Sequence, residues 1–106
     1  MSNKLVPKEF PKSPIIENTK DLGAFIRAQR TQNGLVIDEA AKLLNVSVDL
    51  LSGIENGNRN VGIDKVLHIL TGFGLKMSIF TKKEVHYMVE PAFKSYQESI
   101  NKENND

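Results

Sequence analysis

Residues 37–56, IDEAAKLLNVSVDLLSGIEN, decide the fold of this chain. They predict two short helices joined by a tight turn at Asn45, and the hydroxyl of Ser47 is placed to cap the free amides of the second helix. Small Ala41 is expected where the two helices cross, because a larger side chain there would hold them apart. The positions expected to be apolar and core-facing are Ala40, Ala41, Leu43, Leu44, Val46, Leu51 and Ile54.

The spacing of these helices is typical of a helix-turn-helix motif, in which the second helix enters the major groove of DNA. A preceding helix is predicted over about residues 20–33, with Thr19 as its cap and Gly34 as its stop. A following helix is predicted over about residues 63–73, with Gly74 as its stop. The side chains expected to be buried in this last helix are Ile63, Val66, Leu67, Leu70 and Phe73.

Length and composition limit the class of protein. A chain of 106 residues can bury one core, and its formal net charge of +1 does not by itself indicate a nucleic-acid binder. The absence of cysteine excludes disulfides and thiolate metal sites. There is no apolar run of about 18 residues and no signal-peptide pattern, so we expect a cytoplasmic, nucleoid-associated protein and no membrane partner.

The chain divides into four predicted parts. Residues 1–18 contain three prolines and predict an extended arm, which either contacts DNA or a partner or is a loosely ordered terminus. Residues 19–74 predict the helix-turn-helix domain, with the motif itself at residues 37–56. Residues 75–90 predict β-strands, and residues 91–106 predict a short helix followed by a polar tail.

The strand prediction rests on a change of period after Gly74. Apolar residues alternate with other residues over 75–80 and again over 85–89, and a period of two indicates strands joined by a turn at 81–84. Because a lone hairpin leaves open edges, we expect it to pair with the same strands of a second copy and form a homodimer. The predicted dimerisation residues are Leu75, Met77, Ile79, Val85 and Tyr87.

Residues 22–76 resemble the phage lambda repressor/Cro (XRE-type) helix-turn-helix superfamily. The matching patterns are RAQRxxxGL, AxxLxVSxxxLSxIENGxRN and a closing LhxLxxxGL. The resemblance implies a mainly α, five-helix lambda-repressor-like DNA-binding domain, here followed by a C-terminal β-strand or hairpin used for dimerisation. The segment LKMSIF after the last helix of that domain is similar to HipB-type antitoxins, which are dimeric repressors that bind a HipA-like kinase toxin.

The resemblance also implies a structural ion pair between Arg30 and Glu55. A guanidinium fork facing a carboxylate would tie the first helix to the second helix of the motif. Neither residue is therefore expected to contact DNA.

The base-reading positions of the superfamily fall on Ser47, Val48, Asp49, Ser52 and Gly53. These positions lack the Arg, Lys, Gln and Asn that usually read base edges. Asp49 can accept a hydrogen bond from cytosine N4, but nearby phosphates would repel its charge. A second cluster consists of Asn56, Asn58, Arg59, Asn60 and Lys42. It is expected to hold phosphates without reading sequence, and the alternative is a polar loop that only ends the helix.

The sequence therefore predicts a sequence-specific transcriptional repressor that binds a palindromic operator in double-stranded DNA. The resemblance favours the antitoxin of a toxin–antitoxin module that represses its own operon. Two alternatives stay open: a free-standing phage-type regulator, and a protein-interaction adaptor on the same fold that has lost DNA binding. Nothing places a nucleophile beside a base, and His68 and His86 lack neighbours for a metal site, so we expect no enzyme activity, cofactor, metal or small-molecule substrate.

Overall fold

The structure, a computed structural model, describes residues 5–104. The first four residues of the predicted arm and the last two of the predicted tail lie outside the described residues. The helices are α1 (Thr19–Gln32), α2 (Ile37–Leu44), α3 (Val48–Asn56), α4 (Ile63–Gly72), α5 (Lys82–Glu84), a π-helical stretch (Val85–Val89) and α6 (Glu90–Asn104).

The turn between α2 and α3 follows the sequence prediction. Asn45 ends α2 in the left-handed conformation with φ of 56°. The hydroxyl of Ser47 accepts a hydrogen bond from the amide of Leu50 at 3.0 Å and caps α3. Gly57 ends α3, also in the left-handed region. These local devices set the direction of α3 relative to α2.

The predicted cap of α1 is wrong by one residue. The side chain of Asn18, rather than Thr19, accepts from the amide of Asp21 at 2.9 Å. Thr19 is the first residue of α1, and its hydroxyl donates to the carbonyl oxygen of Gly57 at 2.8 Å. The hydroxyl therefore joins the start of α1 to the end of α3.

Helices α1 to α4 bury one common core, in which Ile26, Leu51 and Ile69 are completely buried. Three apolar residues that were predicted to be buried are exposed: Leu43, Ile63 and Leu67. The buried stripe of α4 and its C-cap residue follows the spacing i, i+3, i+4 and i+7 and leaves Leu67 outside it. Ile63 shares this spacing, but it is the first residue of α4 and is exposed. The members of this stripe are Val66, Ile69, Leu70 and Phe73.

The predicted hairpin at residues 75–90 is wrong. Within residues 5–104 the structure has no strand: residues 75–81 are irregular, and the chain is helical from Lys82 to Asn104. The cause is a capping box at the predicted turn. The Thr81 hydroxyl accepts from the Glu84 amide at 3.1 Å, and the Glu84 carboxylate accepts from the Thr81 amide at 2.9 Å.

The predicted dimerisation residues consequently lie in different conformations. Leu75, Met77 and Ile79 are in the irregular segment, whereas Val85 and Tyr87 are in the π-helical stretch. The alternation of apolar residues over five positions gave a wrong strand prediction, because apolar residues of the same region also recur at helical spacing. The partly buried positions of the C-terminal helix are Val85, Val89, Phe93, Gln97 and Ile100.

The described part of the N-terminal arm lies against α1. The Lys8 amide donates to the Thr31 hydroxyl at 2.8 Å, and the side-chain amide of Gln32 donates to the Lys8 carbonyl at 2.9 Å. The rings of Phe10 and Phe25 are 6.1 Å apart between centroids. The arm therefore packs along the helix that also supports α3.

Candidate nucleic-acid interface

A buried ion pair holds α3 from behind. Arg30 on α1 donates through Nε to Glu55 Oε2 at 2.6 Å and through Nη2 to Glu55 Oε1 at 2.9 Å. The Glu55 side chain is only 1% exposed, so the pair is shielded from water. Arg30 Nη1 also donates to the carbonyl of Leu35 at 2.8 Å, which ties the α1–α2 connection to the same group.

Sequence reasoning missed a third member of this cluster, Arg27. Its Nε lies 3.3 Å from Glu55 Oε1, and its Nη2 donates to Asn56 Oδ1 at 2.5 Å. Asn56 in turn donates to the Ser52 hydroxyl at 3.3 Å. The residue spacing could have predicted this contact, because Arg27 is three residues before Arg30 and lies on the same face of α1. The cluster extends from the buried side of α3 to its outer face.

Gly23 is a second feature that the sequence analysis missed. A Cβ atom at this position would lie 2.3 Å from the carbonyl oxygen of Glu55 and 2.4 Å from that of Ile54. The backbone of α1 therefore touches the last turn of α3 directly. No larger residue fits without moving one helix, so Gly23 fixes the distance between them.

The outer face of α3 is open to solvent at its start. Ser47, Val48 and Asp49 are exposed, whereas Ser52 and Gly53, one turn further on, are half-buried. The residues of the predicted phosphate cluster are all exposed: Lys42, Asn56, Asn58, Arg59 and Asn60.

The structure brings some of these candidates into contact. Arg59 forms an ion pair with Asp49, and its aliphatic stem lies over Gly53. The backbone amide of Asn58 donates to the Gly53 carbonyl at 3.1 Å, which holds the loop after α3 against that helix. Lys42 and Asn60 have no side-chain hydrogen bond to the other candidates within the described residues.

The charges on this surface are few. Arg59 and Asp49 neutralise each other, so Lys42 is the cation of the predicted set that has no counter-charge within 4 Å in the described part of the chain. Arg27, with 39% of its side chain exposed, adds positive charge at the end of α3. The surface is polar and weakly basic, in agreement with the net charge of +1 for the whole chain.

A family model described as a helix-turn-helix domain matches residues 21–77, just over half of the 106 residues. The chain belongs to the helix-turn-helix domain family. Family membership points to a DNA-binding regulator. No curated protein matches the sequence of this helix-turn-helix chain.

Between residues 5 and 104, no helix is both long and apolar enough to cross a membrane. Over the same residues, no group of three or more His, Asp or Glu side chains lies close enough to hold a metal ion.

Proposed function

We propose that this chain is a sequence-specific transcriptional repressor, not an enzyme, and that it binds a palindromic operator through α3. The observation that carries the proposal is the contrast between the two sides of α3. Glu55 on the inner side is buried in an ion cluster, whereas Ser47, Val48 and Asp49 on the outer side are exposed. A helix that is held in place on its inner side and exposed on its outer side is suited to enter the major groove.

Binding to DNA is tested by fluorescence anisotropy with a labelled duplex taken from upstream of the reading frame. We expect affinity to fall steeply between about 50 and 200 mM salt, because phosphate contacts release counterions. Lys42→Ala should weaken binding to all duplexes alike and reduce the salt slope by about one. Lys102→Ala, at an exposed lysine far along α6 in the sequence, is the matched control and should leave the slope unchanged.

The result that contradicts the proposal is a flat titration. A wild-type chain that shows no salt-dependent affinity for any duplex would favour the protein-interaction adaptor on the same fold.

The repressor proposal includes a homodimer, since a palindromic operator mirrors a two-fold symmetric protein. Its support is the apolar surface after Gly74, where the side chain of Ile79 is 91% exposed and that of Tyr87 is 68% exposed. Residues 76–80 make no backbone hydrogen bond within the described chain. They border a shallow groove of about 550 Å³ whose lining includes Ile15, Phe25, Met77 and Val85. A second copy would cover this surface and satisfy the open backbone groups.

The dimer is tested by sedimentation velocity. We expect the wild type to sediment at twice the chain mass of 11.9 kDa and Ile79→Asp to sediment as a monomer. Leu43→Asp is the control, because Leu43 is also exposed but lies on α2, outside the apolar surface. A wild-type monomer at micromolar concentration, or an Ile79→Asp dimer, contradicts the proposal.

We further propose an antitoxin role, in which the dimer also binds a HipA-like kinase toxin. This rests on the similarity of LKMSIF, residues 75–80, to HipB-type antitoxins. Copurification with the product of a neighbouring reading frame tests it. Recovery of a kinase-like protein in a stable complex supports the antitoxin role, and a chain that copurifies with no such product supports the free-standing regulator.

A further inference from the structure

One side chain of the loop after α3, that of Arg59, extends back along the helix. Arg59 starts beyond the last residue of α3, yet its guanidinium forms an ion pair with Asp49, the second residue of that helix. The side chain therefore runs antiparallel to α3 over its outer face. Its charged end lies beside the first turn, not beside the loop from which it comes.

Gly53 makes this path possible. A Cβ atom on Gly53 would lie 2.8 Å from Cβ and 2.9 Å from Cδ of Arg59, so any other residue would push the arginine away. The φ of this glycine is not positive, so its backbone would accept a side chain. The absence of a side chain at Gly53 therefore leaves the space that the Arg59 side chain occupies.

The position of the guanidinium decides which part of DNA it can meet. In helix-turn-helix proteins the first residues of the recognition helix contact base edges, whereas loops beside the helix contact phosphates. Arg59 belongs to the loop by sequence but reaches the first turn of α3 by geometry. Only its Nη1 has a partner among the described residues, so Nε and Nη2 are available for a bidentate contact.

We infer that Arg59 reads a guanine in the operator and that Asp49 positions it, an inference that rests on the proposed DNA binding. An arginine fork matches guanine O6 and N7, and it supplies the base-reading chemistry that the predicted base-reading positions of α3 lack. The side chain of Asp49 is 85% exposed, and an exposed ion pair contributes little to stability. The ion pair instead orients the guanidinium of Arg59. It also cancels the negative charge of Asp49, which DNA phosphates would repel.

The experiment is selection of bound duplexes from a randomised pool, followed by sequencing, for the wild type and four variants. Arg59→Ala removes the reader, Asp49→Asn removes the positioning charge, and Gly53→Ala displaces the arginine. Lys42→Ala is the control that removes a cation without touching Arg59. Far-UV circular dichroism of each variant verifies that the helices are retained.

We expect the wild type to select a guanine at one position of each half-site. Arg59→Ala, Asp49→Asn and Gly53→Ala should all lose preference at that same position, by roughly five- to 150-fold for the complete loss of a bidentate contact. Lys42→Ala should weaken binding and leave the preference unchanged.

Two outcomes overturn the inference while leaving DNA binding intact. In the first, Arg59→Ala weakens binding to every sequence alike, which makes Arg59 a phosphate contact. In the second, Asp49→Asn changes the preference at a different base pair from Arg59→Ala, which makes Asp49 a reader itself. A wild type that selects no sequence overturns the proposed repressor function, and the inference with it.

Discussion

The helix-turn-helix domain at residues 19–74 and the C-terminal segment at residues 75–104 are stabilised in different ways. Every buried apolar side chain of the described chain lies between Ile26 and Phe73. The C-terminal segment buries none, although it is helical over most of its length and carries several large apolar residues. The exposed ones in this segment are Met77, Ile79, Phe80, Tyr87, Met88 and Tyr96.

This difference teaches that a helix can be specified locally without being packed. Helices α1 to α4 gain their stability from a shared core and a buried ion cluster. The helix from Lys82 onward begins at the Thr81–Glu84 capping box, and its apolar side chains are exposed or only partly buried. A helix of this kind is marginal in water by itself, which is why a covering partner is expected.

The largest expected effect is in the ion cluster of the first region. Glu55→Ala should lower the free energy of unfolding by about 3–5 kcal/mol, because Arg30 would be left buried without its carboxylate. Urea denaturation followed by circular dichroism measures the change. Glu98→Ala, at an exposed position of α6, should change the free energy of unfolding by less than about 0.5 kcal/mol. Equal values for the two variants would remove the contrast between the regions.

A smaller loss is expected where α1 touches α3. Gly23→Ala should destabilise the domain by about 1–3 kcal/mol, because the new methyl group would overlap backbone oxygens of α3. Gly62→Ala is the matched control, since a Cβ atom there meets nothing within 4 Å, and it should cost less than about 1 kcal/mol. The same urea titration compares them. If Gly23→Ala is as stable as Gly62→Ala, the close approach does not constrain α3.

The smallest effect is expected at the start of the C-terminal helix and depends on pH. The hydrogen bond with the Thr81 backbone lowers the pKa of Glu84 below its ordinary 4.5, and the one with the Thr81 side chain lowers it by a smaller amount. A carboxylate whose pKa is lowered in the folded state contributes stability at pH values above 4.5. This stability is lost as the pH falls through the lowered pKa of the folded state. NMR Cα shifts of residues 82–85 should therefore lose helical character only on acidification.

Glu84→Gln is the control for this titration. A glutamine side chain can still accept from the Thr81 amide but does not titrate in this range, so the shifts should become independent of pH. Loss of helical character in Glu84→Gln at the same pH would assign the effect to another group.

Much of the helix-turn-helix motif follows from the sequence because its signals are local. Asn45 and Ser47 act through backbone angles and hydrogen bonds within three or four residues, and the structure has both as predicted. The C-terminal helix also had a local signal in Thr81 and Glu84. The hairpin prediction relied on the alternation of apolar residues and did not include this capping box, and it was wrong for that reason.

The amino-acid sequence by itself determined the bounds of α2 and α3 and the turn between them, because near neighbours in the chain decide caps and turns. Only the tertiary structure decided that Arg27 joins the cluster around Glu55, that Gly23 touches α3, and that Arg59 lies over Gly53. The first two of these contacts join residues about thirty positions apart. The third depends on the path of the loop after α3, so each exists only once the packed helices have fixed the distances between them.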